Sequence, residues 1–178
     1  MVLKGHGEPI RYRVGVQADA LCIGVLAMQV FLDTYADAGI RADLAREVLA
    51  AYSPEAFAVR LASSDITFVV AEKSDGLVGF AEIQRGSRCG AEARADVELV
   101  RLYVQRPFQR QGVGAALLMQ AERHARGAGG DALWLSAWCG NERALAFYPA
   151  MGYKDVGEAE HVIEGRAYPN RLFLKSPL

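Results

Sequence analysis

Apolar and polar residues alternate over residues 10–16, in the order Ile10, Arg11, Tyr12, Arg13, Val14, which predicts a half-buried strand. From Asp19 the period changes. Ile23, Leu26, Ala27, Val30 and Phe31 recur at helical spacing and give one buried face, with Asp19 placed to cap the helix and Gly39 to end it. Residues 42–51 read as a second helix. Ser53-Pro54-Glu55 starts a third: Ser53 offers a capping oxygen, Pro54 suits the first helical position and Glu55 complements the helix dipole. Two apolar runs, 66–71 and 77–83, flank the turn signal Lys73-Ser74-Asp75-Gly76 and predict a hairpin. A polar, glycine-bearing connection over 85–95 leads to a strand at 97–104. A helix follows over 113–126, closed by Gly127-Ala128-Gly129-Gly130, then a buried strand at 132–137, a short helix at 142–151 and two terminal strands between Gly152 and Leu174.

This order predicts an α/β (α+β) domain in which an antiparallel hairpin continues into a strand-helix-strand unit. Right-handed connection of that unit makes the fourth and fifth strands parallel. A length of 178 residues suits a single domain over 1–178. Hydrophobic residues at 52% and charged residues at 23% describe a folded globular chain rather than a disordered one. The net charge of −1 and the pI near 6.3 supply no global attraction to nucleic acid or anionic membrane, and neither partner is expected. The longest mostly apolar stretch, 20–32, reads as too short to cross a bilayer, and residues 1–7 lack the pattern of a secretory signal. The expectation is a cytoplasmic protein. Cys22, Cys89 and Cys139 are scattered and His6, His124 and His161 isolated, so neither a disulfide framework nor a metal site is expected.

Chemistry concentrates in residues 97–114, where a strand meets Pro107, a polar basic turn, and then paired glycines opening a helix. Gly112 and Gly114 let the backbone approach a bulky ligand, and the helix start favours an anion such as phosphate. The segment lacks the Gly-Lys-Ser or Gly-Lys-Thr of a P-loop and the full GxGxxG of a dinucleotide site.

Leu102-Tyr103-Val104 ahead of Gln109-Arg110-Gln111-Gly112-Val113-Gly114 resembles the acetyl-CoA signature of the GNAT (GCN5-related N-acetyltransferase) family, Arg/Gln-x-x-Gly-x-Gly/Ala. A second block is similar to that family's next strand and helix: Trp134-Leu135-Ser136-Ala137-Trp138, then Asn141, Ala144, Phe147, Tyr148 and Met151-Gly152-Tyr153. Together the blocks cover 97–153, about a third of the chain. The resemblance implies a mixed, mostly antiparallel sheet of six to seven strands, its fourth and fifth strands splayed, flanked by helices. It also implies acetyl-CoA as the acyl donor, with no metal. The pantetheine arm would lie against Leu102, Tyr103 and Val104. The pyrophosphate would sit at Gln109, Arg110, Gln111, Gly112, Val113, Gly114 and Ala115. Asn141, Phe147 and Tyr148 would complete the coenzyme site.

By the same resemblance Tyr148 is the general acid that protonates the leaving sulfur, with core packing as its alternative role. Glu98 is the general base, with Glu82 or water as competitors. Regular alternation would set Glu98 on one face with Val100, Leu102 and Val104, where apolar neighbours raise its proton affinity. Pro149 departs from the acidic or polar residue usual in the family, and by removing a helical N–H it could reorient Tyr148. Acceptor contacts are expected from Tyr35 and Glu82, within a wall drawn from 31–39, 85–95 and 156–170. The implied activity is acetylation of a small-molecule primary amine through a ternary complex, in a chain that the family implies is a homodimer. Acetylation of a protein N-terminus or lysine is the second reading, and a non-catalytic acyl-CoA sensor the third. Retention of both Glu98 and Tyr148 argues against the sensor.

Overall fold

The computed structural model describes residues 8–92 and 95–178. Its elements follow the predicted order: β1 (Arg11–Val14), α1 (Ala20–Tyr35), α2 (Ala42–Ala51), α3 (Pro54–Leu61), β2 (Ile66–Lys73), β3 (Gly76–Arg85), β4 (Val97–Val104), α4 (Val113–Gly127), β5 (Leu133–Trp138), α5 (Glu142–Ala150), β6 (Lys154–Ile163) and β7 (Arg166–Lys175). The strands form one sheet in the order β1-β2-β3-β4-β5-β7-β6. Every neighbouring pair is antiparallel except β4–β5, which is parallel. That pair is joined at a single register position, Glu98 opposite Trp134. Beyond it the two strands part.

Helices cover both faces, as a two-sided sheet requires to bury its apolar residues. On one face α4 and α5 pack Leu117, Leu118 and Tyr148 against Leu99, Leu133, Leu135 and Phe173. On the other, α1 to α3 pack Phe31, Leu44 and Phe57 against Phe68 and Phe80. Each such side chain contributes about 1.5–3 kcal/mol on burial.

Ser53 caps α3 as its sequence predicts, its Oγ accepting the Ala56 N–H at 3.2 Å. Asp19 does not cap α1. A turn of 3-10 helix precedes it and leaves its own backbone helical, whereas a capping residue needs extended geometry. Its carboxylate instead accepts the Val16 N–H at 2.8 Å and the Arg13 guanidinium at 2.7 and 2.8 Å, tying the start of α1 to β1. With that turn, residues 17–35 make 19 helical residues of mean hydropathy 1.3, so length and composition alone allow a membrane span. This corrects the length argument made from residues 20–32. In the fold, Ile23, Ala27 and Phe31 are instead buried against the sheet.

A further departure from regular alternation lies in β4. Glu82 pairs with Arg101 but the next residue, Ile83, pairs with Leu99, so Val100 is an extra residue bulged out of the ladder. Val97 and Leu99 before the bulge, and Leu102 and Val104 after it, all join the α4-side core. Arg101 and Tyr103 turn to the α1–α3 side, where Arg101 lies over the Tyr52 ring and Tyr103 against Phe80. Glu98 therefore does not share a face with Leu102 and Val104. The bulge sets it on the side of Arg101 and Tyr103.

Candidate active site

Between β4 and α4 the chain makes a tight turn in which Arg110 (φ 60°) and Gly112 (φ 82°) are both left-handed. Glycine adopts this freely, while at Arg110 it costs on the order of 1 kcal/mol. The turn is fastened from within. Gln109 Nε2 donates to the Val104 carbonyl at 2.9 Å, Arg143 Nη1 donates to Gln109 Oε1 at 3.1 Å, and Gln111 Nε2 donates to the Pro107 carbonyl at 2.7 Å. The side chains of Gln109 and Gln111 thus shape the loop, and what they leave for a ligand is backbone. The helical ladder of α4 begins with the Ala116 N–H on the Gly112 carbonyl at 3.0 Å, so the N–H groups of Val113, Gly114 and Ala115 precede it. A Cβ on Gly114 would lie 3.9 Å from both Phe147 Cζ and Val104 Cγ2. The end of β4, the start of α4 and α5 converge there, and a larger side chain at 114 would fill the space between them.

Asn141 opens α5, its side-chain oxygen accepting the Ala144 N–H at 3.1 Å and its amide nitrogen remaining as a donor. Two turns on, Tyr148 is buried among Phe147, Tyr153 and Phe173, with ring centroids 5.3, 5.8 and 5.7 Å away. Its hydroxyl has no hydrogen-bond partner among the described residues, and burial pushes its pKa well up, so it keeps its proton. Pro149 falls in the last turn of α5, where the helix runs on to Ala150.

Glu98 is half-buried. Ser87 Oγ donates to its Oε2 at 2.5 Å, and the Ser87 carbonyl accepts the Trp134 indole N–H at 2.8 Å. Burial raises the Glu98 pKa above its ordinary value; Glu82 adds to the rise, while the Ser87 hydrogen bond and Arg101 oppose it. Sequence reasoning left Ser87 in a solvated connection, because nothing in its neighbours signals that the loop folds back onto β4 and β5. On the same side a groove of about 420 Å³ runs past Trp134 and Ser136, beneath Gly90 and Ala91.

Glu82 is 1% exposed and carries the Arg101 Nη1 on one oxygen at 2.5 Å, with Arg60 Nε 4.0 Å from the other. Its carboxylate is engaged by guanidinium groups, which corrects its reading as an acceptor contact or free base. Tyr35 stacks on Phe31 and Trp138, at 4.6 and 5.0 Å, and meets Tyr168 edge-on at 5.5 Å. Burial lifts its pKa to about 12, and it closes the wall between α1, β5 and β7. Among the described residues no group of three or more His, Cys, Asp and Glu side chains could hold a metal ion.

Glu98 and Tyr148 thus belong to opposite faces of the sheet, Glu98 at the one position where β4 and β5 are joined and Tyr148 in the core on the α4 side.

Residues 33–153 match the model of the Acetyltransferase (GNAT) family. The chain is 33% identical over 106 residues to the N-alpha-acetyltransferase RimI of Mycobacterium tuberculosis (strain ATCC 25618 / H37Rv), covering 60% of this chain and 63% of that relative. It is 23% identical over 139 residues to an uncharacterized N-acetyltransferase of Lactobacillus delbrueckii subsp. lactis, covering 78% of this chain and 80% of that one. Among solved structures, the PaiA N-acetyltransferase from Thermoplasma acidophilum in complex with coenzyme A has the same fold, with a TM-score of 0.73 at 22% identity over 94% of this chain and 99% of that chain.

Proposed function

The chain belongs to the acetyltransferase (GNAT) family, and from that premise we propose that it transfers an acetyl group from acetyl-CoA to a primary amine of a small molecule, by direct attack in a ternary complex. The observation that carries the reading is the opening between β4 and β5 with Glu98 on one face and Tyr148 on the other. Acetyl-CoA, when bound, supplies the activated acyl carbon.

The chain's own residues divide the remaining work. The N–H groups of Val113, Gly114 and Ala115 and the adjoining Arg110 offer an anion site for the pyrophosphate. The edge of β4 that β5 leaves unpaired has backbone groups needing partners, and an amide-bearing pantetheine supplies them. A backbone N–H near Leu102 or Tyr103 polarises the acyl carbonyl. Glu98, poised by burial, accepts the amine's proton from the α1–α3 side. Tyr148, held protonated, returns one to the sulfur from the α5 side.

The similarity to RimI, an N-alpha-acetyltransferase by name, favours an α-amine, such as that of a peptide, as a second reading. Thiol release from acetyl-CoA across a panel of small amines and short peptides, beside calorimetry with acetyl-CoA alone, tests both. Turnover with small amines is expected. Turnover confined to peptides would favour the second reading, and binding without any turnover would leave only a sensor.

A further inference from the structure

We propose that Arg60 and Arg101 form a carboxylate subsite, so that the acceptor is an amino-carboxylate whose acidic group lies against these two guanidinium groups while its amine faces Glu98. The inference rests on the acetyl-transfer reading and names the substrate class of that same site.

Two cations share one anion there. Glu82 takes Arg101 at 2.5 Å and lies 4.0 Å from Arg60, and no second carboxylate forms an ion pair with either arginine among the described residues. Both guanidinium groups are crowded onto aromatic faces. Arg60 lies 5.1 Å from the Phe57 ring centroid, and Arg101 lies 5.1 Å from Tyr52 and 5.8 Å from Phe57. Burial and then the proximity of Arg101 lower the Arg60 pKa, as expected of like charges sharing a dry site. Each arginine also keeps a buried N–H without an acceptor, Nη1 on Arg60 and Nε on Arg101. Buried donors without partners are costly, and a planar guanidinium fork is matched to a carboxylate.

The bulge at Val100 puts Arg101 on the face of the sheet that carries Glu98. Arg101 immediately precedes Leu102 and lies on the Glu98 side of the sheet, three residues along the strand, a span of about 10 Å at most. Charge matching completes the argument. An amino acid brings an ammonium and a carboxylate a few bonds apart, and the site opposes them with Glu98 and with the arginine pair. Once Glu98 has taken the amine's proton, Glu82 alone balances two guanidinium groups, and the substrate carboxylate supplies the missing charge.

The test uses the full chain with acetyl-CoA and matched acceptors. Phenylalanine, leucine and β-alanine are each compared with the corresponding carboxamide and the decarboxylated amine. A peptide beginning with Glu is compared with one beginning with Gln, which separates a free amino acid from an acidic peptide side chain as the source of the carboxylate. The carboxylate-bearing member of a pair is expected to show a kcat/KM about ten- to a hundredfold above its neutral partner, the range of a charge-assisted hydrogen bond. In Arg60→Gln that ratio should fall toward one, and in Arg60→Lys part of it should return. Because each ratio is taken within one protein, loss of folded enzyme cancels. Equal rates within every pair would overturn the subsite and leave acetyl transfer standing. A preference untouched by Arg60→Gln would overturn the assignment of Arg60. Silence with every acceptor would overturn the acetyl-transfer reading and the subsite with it.

Discussion

A carboxylate gains proton affinity when its surroundings make charge costly, and Glu98 is so placed, half-buried with one hydrogen bond from Ser87. In the role proposed for it Glu98 must be ionised to act, so kcat/KM should rise with pH through a value above the roughly 4.3 of an ordinary glutamate. Glu98→Gln should abolish that limb and lower kcat by about 10²–10³-fold. Ser87→Ala carries the sharper prediction. Its hydroxyl favours the charged carboxylate, so removing it should move the acid limb to still higher pH; a pH profile identical to that of the parent would detach Ser87 from the chemistry. Tyr148→Phe should slow kcat by about 10²-fold with coenzyme affinity nearly unchanged, which single-turnover kinetics and calorimetry check.

At the scale of elements, the bulge in β4 decides which side chains meet, and the Glu82–Arg101 pair is built onto it. Arg101→Met would strand the Glu82 carboxylate in a dry site and should cost about 3–5 kcal/mol in urea unfolding, while Arg101→Met with Glu82→Leu should recover much of it. The Arg13–Asp19 pair makes a pH-dependent prediction. The Arg13 hydrogen bond holds the Asp19 pKa below its ordinary value. Its stabilisation is then complete above the unfolded-state value of about 3.9 and is lost as pH falls through the lower, folded value. Asp19→Asn should lose roughly 1–2 kcal/mol at neutral pH, a gap that closes as both proteins are titrated into that acid range. What sequence could and could not foresee divides along the same line. The strands, the helices, the Ser53 cap and the glycine-bearing turn between β4 and α4 each carry a local signal that tertiary contacts reinforce. The bulge carries none, because Val97, Leu99, Val100, Leu102 and Val104 look apolar in either register. Without the bulge, regular alternation puts Glu98 on the wrong face, and no spacing rule reaches the guanidinium groups around Glu82. Gln109 and Gln111 were legible as loop donors, but that their amides turn inward depends on the position of Val104 and Pro107 in space.

The molecule as a whole is two half-sheets, β1 to β4 and β5-β7-β6, that share one ladder position and are also joined by core packing and by hydrogen bonds that include Glu122 with Tyr153 and Lys175 at 3.1 and 2.9 Å and the Trp134 indole N–H on the Ser87 carbonyl at 2.8 Å. A ligand lying in the opening touches both halves and exists only for the folded state, so its binding energy adds directly to stability. At a hundredfold excess over Kd the gain is about 2.7 kcal/mol, and for a chain of this length each kcal/mol moves Tm by about 2–4 °C. Acetyl-CoA at that excess should therefore raise Tm by about 5–10 °C in a scanning fluorescence or calorimetric melt. Gly112→Val supplies the contrast. A β-branched residue forced to φ 82° strains the turn, so the variant should melt lower without ligand and gain less from it at the same concentration. An equal gain in the variant would mean that the turn between β4 and α4 does not hold the coenzyme, whatever the opening beside it admits.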